Sequence, residues 1–271
     1  MIRNLILLSS LVAILFSSCA NKTAPASSKS FSGDLKVMSY NVHHCNPPSK
    51  EGLIDVDAIA KVIMHENPDL VALQEIDVNT TRSGNINQIR EIAARAGYHS
   101  FHFSKAIDHE GGDYGVAILS RYPLSETQTH RLPTQEATKG EPRVLSLATV
   151  ALPGGKKIKF GSTHLDAQRT STNRLLQAAE INRITSAVNL PLIIAGDFNA
   201  VENSEVMQII KSKFKLACNN CAPTIPQINP TKTIDFIAFQ PTGTFEIVSH
   251  HVVQEPYASD HLPIVAVLKM K

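Results

Sequence analysis

The stretch 192–200 constrains the fold more than any other part of this chain. Pro191 opens it, and the short apolar run that follows is typical of a strand buried on both faces. Gly196 is expected to turn the chain at the strand end, after which Asp197 and Asn199 can point to one side of an extended backbone. A carboxylate can accept a proton from water there, and a carboxamide can donate to a developing oxyanion. An ordinary Asx turn at a strand end explains the same residues equally well.

Length and charge limit the classes of function. The chain has 271 residues, of which 43% are hydrophobic and 18% charged, so it can bury a sizeable core as one domain or as two. Its formal net charge is only +2, which is no basic footprint for nucleic acid. This argues against a dedicated DNA-binding role, although a nuclease needs only a local basic patch.

Residues 1–18 resemble a bacterial lipoprotein signal peptide. Arg3 precedes an apolar run from position 5 to 16 that is short for a membrane span, and Ser17-Ser18-Cys19 follows. The resemblance implies cleavage before Cys19, lipidation of that cysteine, and an extracytoplasmic protein anchored in the bacterial cell envelope. A simple secretory leader and an uncleaved N-terminal anchor are the alternatives. Residues 19–33, rich in Ser, Thr, Ala and Lys, are predicted to form a flexible tether.

The other cysteines fit an oxidising compartment. Cys218 and Cys221 are a close pair, for which a local disulfide is the favoured explanation. A zinc site would need two more ligands at suitable spacing, and none is near in the sequence. Cys45 is predicted to be a buried free thiol.

The remaining chain, 34–271, is predicted to be one domain in which strands outnumber helices. Asp55 can cap a helix whose apolar positions recur at helical spacing up to residue 64, and Pro153-Gly154-Gly155 is predicted to form a hairpin turn. Two sheets packed face to face with helices outside accommodate this mixture. Further helices are predicted at 88–96, 171–188 and 204–213. Strands are predicted at 35–42, 70–73, 98–106, 114–120, 143–152, 157–165, 192–197, 233–239, 246–253 and 262–268.

Polar residues gather at several predicted strand ends. Each of them alone has a structural explanation, such as a turn, a cap or a solvated strand end. Together, polar groups at the strand ends of an α/β fold indicate one site. The residues are Asn41, Glu75, His164, Asp166, Asp197, Asn199, Asp235, Asp260 and His261.

Six short segments occur in an order that resembles the endonuclease/exonuclease/phosphatase superfamily, of which deoxyribonuclease I is a member. The resemblance covers positions 35–268 and implies an α/β fold, the four-layer α/β/β/α sandwich, in which two mostly antiparallel or mixed sheets carry helices outside. Within the superfamily the chain looks most like small bacterial metal-dependent hydrolases. The segments are Ser39-Tyr40-Asn41-Val42, Gln74-Glu75, Thr163-His164-Leu165, Gly196-Asp197-Phe198-Asn199, Ile234-Asp235-Phe236-Ile237 and Ser259-Asp260-His261.

The resemblance implies a metal site built from oxygen ligands. Glu75 matches the principal ligand of the family, with Asn41 and Asp260 beside it. Carboxylate and amide oxygens are the ligands that Mg²⁺ and Mn²⁺ prefer. DNA-repair members carry an acid where this chain has His43, so one ion is expected rather than two.

The resemblance also assigns the acid–base groups. Asp197 matches the acid that orients or deprotonates water, and Asn199 the donor to the phosphate. His261 matches the histidine at the scissile phosphate, and Asp235 the acid that orients it. His164 stands where related hydrolases carry a histidine that can act as a general acid.

These observations predict an exported Mg²⁺- or Mn²⁺-dependent phosphoesterase that acts on a small phosphorylated metabolite or a phospholipid head group. Asn41, Arg143 and Tyr114 are candidates for phosphate contacts. An extracytoplasmic nuclease is the alternative, but the near-neutral charge and the absence of Trp do not favour nucleic acid. A non-catalytic binding lipoprotein is disfavoured because the whole set of site residues is present. The protein is expected to be a monomer whose membrane contact is the lipidated Cys19.

Overall fold

The computed structural model describes residues 33–271. The predicted signal peptide, most of the tether and the lipidation site Cys19 lie outside the described residues. Within 33–271, no helix is both long enough and apolar enough to cross a membrane.

The first sheet contains six strands in the order β11-β12-β1-β2-β4-β3. Strands β1 and β2 are parallel because helix α1 (Val56–Glu66) connects them across one face, and the other neighbours are antiparallel. Asp55 caps α1 as predicted, since its side chain accepts a hydrogen bond from the Ala58 N–H. The strands are β1 (Asp34–Asn41), β2 (Leu70–Val78), β3 (Ser100–His109), β4 (Gly112–Ser120), β11 (Phe245–Val252) and β12 (Ile264–Met270).

The second sheet repeats this plan in the order β5-β6-β7-β8-β10-β9. Here β7 and β8 are the parallel pair, joined by helix α3 (Thr172–Ser186), and the other neighbours are antiparallel. The strands are β5 (Leu124–Leu132), β6 (Arg143–Ala151), β7 (Lys157–His164), β8 (Leu192–Asp197), β9 (Lys215–Leu216) and β10 (Asp235–Gln240).

The apolar residues form three layers of core. Leu70 of the first sheet packs in one cluster with Ile193 of the second, between the sheets. Helices α1 and α2 (Gln88–Ala96) cover the outer face of the first sheet, and α3 and α4 (Glu205–Lys211) that of the second. This is the predicted four-layer α/β/β/α sandwich, which the structure confirms.

Two strands were not predicted, and several boundaries differ by a few residues. Strand β5 is mostly exposed and rich in polar residues, so it carries no apolar alternation. Strand β9 has two residues, too few for any pattern. Helices α3 and α4 are shorter than the predicted 171–188 and 204–213, and β3 begins two residues after the predicted start.

A bulge in β2 changes the setting of Glu75. The predicted strand ended at Leu73, whereas the observed strand continues to Val78 with a shift of register between Leu73 and Ile76. Glu75 lies in this bulge with φ of 59°, which a residue with a Cβ rarely adopts. Bulges of this kind re-aim a side chain and are frequent next to active sites.

Gly196 is required for a close approach rather than for the predicted turn. It lies inside β8, opposite Thr163 of the neighbouring β7. A Cβ at this position would lie 2.0 Å from the Thr163 carbonyl oxygen, so no larger residue fits. The predicted Pro153-Gly154-Gly155 connection is a tight turn between β6 and β7.

The cysteines are as predicted. Cys218 and Cys221 form a disulfide in the segment between β9 and β10. Cys45, which follows β1, is a buried free thiol.

Candidate active site

The two parallel strand pairs end at a common edge of the sandwich. In the first sheet, Asn41 of β1 lies opposite Gln74 of β2. In the second, Asp197 of β8 lies between His164 of β7 and Asp235 of β10. The side chain of Asn41 joins the two sheets, because its Nδ2 lies 3.0 Å from Glu75 Oε1 and 3.2 Å from Asp197 Oδ2.

Asp197 is the centre of this constellation. Its Oδ2 faces Asn41 Nδ2, His164 Nε2 at 3.5 Å and His261 Nε2 at 3.7 Å, while Oδ1 accepts from the backbone N–H of Asn199. Burial and the neighbouring charge of Asp235 raise the pKa of Asp197 to about 7, although these donors oppose the shift. A carboxylate with a pKa near neutrality is suited to accept a proton from water.

His261 is held by Asp235. The imidazole Nδ1 lies 2.9 Å from Asp235 Oδ2, and the Thr224 hydroxyl donates to the same oxygen at 2.5 Å. Burial lowers the pKa of His261, but the carboxylates of Asp235 and Asp197 outweigh it and raise the pKa to about 10. The ring is therefore positively charged at neutral pH, with its Nε2–H directed towards Asp197.

His164 is in the opposite electrostatic state. The Nη1 of Arg143 donates to His164 Nδ1 at 3.2 Å. A guanidinium cannot accept a hydrogen bond, so the proton of the ring is on Nε2, which faces Asp197. Burial, and then the charge of Arg143, lower the pKa of His164 well below its usual value. In this arrangement His164 is a neutral ring whose Nε2 lies 3.5 Å from Asp197 Oδ2, and its role as a general acid stays a prediction.

The other predicted site residues, Asn199, Tyr114 and Asp260, differ in their contacts. The backbone of Asn199 binds Asp197, and one amide N–H of its side chain donates to the Leu165 carbonyl, which leaves the second N–H for a ligand. Tyr114 is buried and interacts with Arg143. Asp260 is half-buried with its carboxylate 3.4 Å from the Ser259 hydroxyl, and within residues 33–271 no hydrogen bond joins it to Glu75 or Asn41.

Three supporting residues were not predicted. His44 Nδ1 lies 3.8 Å from Glu75 Oε2, and Glu141 Oε1 forms an ion pair with Arg143 Nη1 at 2.9 Å. Thr224, as described, holds Asp235. His43, the neighbour of His44, binds within its own loop, to the Asn46 carbonyl. Nothing in the sequence distinguishes Thr224 or Glu141 from other loop residues.

Two groups of side chains could hold a metal ion. Asp197, Asp235 and His261 form a buried cluster whose ligand atoms all lie within 4.8 Å of one another. However, His261 already uses Nδ1 for Asp235 and is positively charged, which opposes cation binding there. The predicted group of Glu75, Asn41 and Asp260 offers oxygen atoms alone. Burial raises the pKa of Glu75, but the neighbouring His44 and Asn41 and the charge of His261 lower it well below its usual range, so Glu75 is an anion.

Comparisons with known proteins agree with this geometry. The sequence model of the Endonuclease/Exonuclease/phosphatase family matches residues 38–261. Nocturnin from Rattus norvegicus is 24% identical over 253 residues, which cover 76% of this chain and 56% of that protein. The chain thus spans about half the length of the curated relatives it matches.

Solved structures share the fold. An endonuclease/exonuclease/phosphatase from Beutenbergia cavernae matches with a TM-score of 0.74 and 24% identity, covering 88% of this chain and 72% of the other. A mannosyl-6-phosphatase from Bacteroides thetaiotaomicron matches with a TM-score of 0.69 and 20% identity, covering 86% and 99% of the two chains. At these identities the likeness concerns the fold.

Proposed function

We propose that this chain, which belongs to the Endonuclease/Exonuclease/phosphatase family and hydrolyses phosphoester bonds, acts on a small phosphorylated metabolite or a phospholipid head group outside the cytoplasm. The observation that carries the proposal is the convergence of Asn41, Glu75 and Asp197 from both sheets on one point, beside two histidines in different charge states. That edge therefore offers an anion, a proton acceptor and two imidazole donors, of which His261 is charged and His164 neutral.

A single Mg²⁺ or Mn²⁺ is proposed to bind Glu75, Asn41 and Asp260. The fit rests on donor chemistry, because these residues supply two carboxylates and an amide, and Glu75 is a partly exposed anion turned outward by the bulge in β2. When bound, the ion supplies neutralisation of the phosphate charge and polarisation of its oxygens.

The proton chemistry is assigned to residues of the second sheet and the His261 loop. Asp197 accepts a proton from the attacking water, and its raised pKa makes it a competent base near neutral pH. The charged Nε2–H of His261 and the neutral Nε2–H of His164 donate to the phosphoryl oxygens, where negative charge develops. Asp235 keeps the His261 ring oriented, and Arg143 fixes the tautomer of His164.

Two further considerations support the substrate class. The near-neutral net charge does not favour long nucleic acids. A fold neighbour is a mannosyl-6-phosphatase, so this architecture accommodates a phosphatase of that kind. The lipoprotein-like start of the chain is the basis for the proposed export and for membrane anchoring through Cys19. The proposed small bacterial hydrolase branch is based instead on the sequence from Tyr40 to Gly84.

A hydrolysis panel tests the proposal. Purified residues 20–271 are incubated with sugar phosphates, inositol phosphates, sphingomyelin, nucleotides, a chromogenic diester and plasmid DNA, each with Mg²⁺ and with EDTA. We expect metal-dependent release of phosphate or alcohol from a small or lipid phosphoester. Activity that is indifferent to EDTA would contradict the proposed cofactor. Cleavage of plasmid DNA well above every small phosphoester would contradict the proposed substrate class.

A further inference from the structure

A cavity of about 470 Å³ opens beside the catalytic centre. Asn199 belongs to its wall, and the rest comes from the start of α3, the loop after Asn199 and the segment 225–232. Cavities of this size accommodate small ligands. The backbone N–H of Asn199 also donates to Asp197, so the cavity lies next to the proposed base.

Arg174 places a buried positive charge at the wall of this cavity. The residue is only 9% exposed and lines the cavity from α3. Its Nη1 donates to the backbone carbonyls of Asp166 and Gln168, at 2.8 and 2.5 Å, and its buried Nε has no hydrogen-bond partner within residues 33–271. In the same part of the chain no carboxylate forms a direct ion pair with it, although the charges of Asp166 and Asp197 act on it from a greater distance. Buried guanidinium groups are normally paired with an anion, because desolvation of a lone charge is costly.

The rest of the wall suits the same kind of ligand. Lys232 is exposed at the cavity and forms no ion pair within the described residues, and no acidic side chain lines the cavity. The α3 N-terminus, at Ser171, adds a favourable dipole for an anion. Val201 and Ile225 contribute an apolar wall on which a carbon skeleton can pack. Within residues 33–271 neither Arg174 nor Lys232 forms a direct ion pair, and these two cations beside an apolar wall form a site for a negatively charged organic group.

We propose that this cavity is a specificity subsite that binds a second anionic group, a carboxylate or a further phosphate, on the alcohol portion of the phosphoester substrate. Arg174 and Lys232 pair with that group, while the aliphatic wall contacts the atoms between it and the scissile phosphate. The inference rests on the proposed function, and it narrows the substrate class to phosphoesters with two separated negative groups.

Matched probes test the subsite. Glycerol 3-phosphate and 3-phosphoglycerate differ in one carboxylate, and glucose 6-phosphate and glucose 1,6-bisphosphate differ in one phosphate. With Mg²⁺ present, kcat/KM is measured for wild type, Lys232→Gln and Arg174→Lys. We expect at least one doubly anionic probe to exceed its partner by about tenfold, the scale of one charge-assisted contact. Both substitutions should reduce the ratio of kcat/KM between the doubly and the singly anionic probe, mainly by raising KM for the doubly anionic one. The kcat/KM of the singly anionic probe should stay within about twofold of wild type.

Lys156→Gln is the matched control. Lys156 is exposed in the turn between β6 and β7, at the opposite end of those strands from Arg143 and His164, so its loss removes the same charge far from the site. This variant should keep the wild-type ratio. If Arg174→Lys fails to fold because the Asp166 and Gln168 carbonyls lose a donor, Lys232→Gln still decides the test.

Binding separates this inference from the proposed function. Calorimetric Kd values for the four probes are measured in an Asp197→Asn background, with and without Lys232→Gln. A preference for the doubly anionic probe that Lys232→Gln removes supports the subsite even if wild type hydrolyses none of the four. Two results would overturn the subsite and leave the phosphoesterase proposal standing. One is hydrolysis or binding with no preference for the doubly anionic probe in either pair. The other is a preference that both Lys232→Gln and Lys156→Gln leave intact.

Discussion

At the scale of single residues, Asp197 is the group on which proton transfer should depend. Its Oδ2 faces Asn41, His164 and His261, so Asp197→Asn keeps the shape but replaces the base by an amide. We expect a loss of kcat of roughly 10²–10⁴-fold with little change in thermal stability. Steady-state kinetics on the best panel substrate provide the measurement. Asp57→Asn, an exposed carboxylate on α1, is the control, and near-normal turnover by Asp197→Asn would show that the base is another residue.

Metal binding distinguishes the two candidate ligand groups. Glu75→Gln removes a charged oxygen ligand from the proposed site, whereas Asp235→Asn alters the cluster of Asp197, Asp235 and His261 without touching Glu75. Calorimetric titration with Mn²⁺ should show a sharp loss of affinity in Glu75→Gln and a small change in Asp235→Asn. The reverse result would place the ion in the Asp–Asp–His cluster.

Among the elements, β2 carries the least predictable feature of the site. The buried strands β1, β7 and β8 and the cap of α1 were predictable because apolar runs and a capping aspartate have local physical causes. The bulge that turns Glu75 was not, since it depends on pairing with β4. The same holds for β5, an exposed edge whose partner β6 supplies its order. Ordered motifs thus predicted which residues converge, but not the backbone geometry that aims them.

The bulge is supported by a buried ion pair that can be tested. Asp77 is fully buried two residues after Glu75, and Arg82 binds it through two nitrogens at 2.7 and 2.9 Å. Arg82→Met leaves that carboxylate without its cation, so we expect a loss of roughly 2 kcal/mol in the free energy of unfolding; partial exposure of Arg82 reduces the effect below that of a fully buried pair. Urea denaturation measures it.

The control for this prediction is Arg183→Met. Arg183 binds Glu180 with similar distances, but it is 72% exposed, so its loss should cost less than about 0.5 kcal/mol. Equal effects of the two substitutions would mean that the Asp77 pair does not support β2. A drop in activity of Arg82→Met under conditions where it remains folded would link the pair to the position of Glu75.

For the whole molecule, the N-terminal sequence predicts a lipid anchor. Cells expressing the full chain should incorporate labelled fatty acid into the protein, and Cys19→Ser should abolish both incorporation and cleavage before position 19. Cys45→Ser, which removes a thiol of the folded domain, is the control and should still be labelled. A wild-type chain that takes up no lipid and stays in the soluble fraction would contradict the lipoprotein prediction.

The balance of charge over the whole chain leads to the last prediction, which concerns nucleic acid. Affinity for DNA comes largely from phosphate contacts by Lys and Arg, and it falls steeply with salt concentration. The formal net charge is +2, and loss of Arg3 with the leader reduces it to +1. Residues 20–271 should therefore nick plasmid DNA slowly, and a small phosphoester should be turned over much faster at equal Mg²⁺.

Both rates are measured from about 50 to 200 mM salt, a range in which a protein with several phosphate contacts loses orders of magnitude in DNA affinity. Small-phosphoester hydrolysis should change little across this range, because its recognition depends on a few groups at the edge of the sandwich. Rapid plasmid degradation that salt suppresses strongly would instead identify a nuclease, whose basic contacts would then have to come from local patches rather than from the net charge.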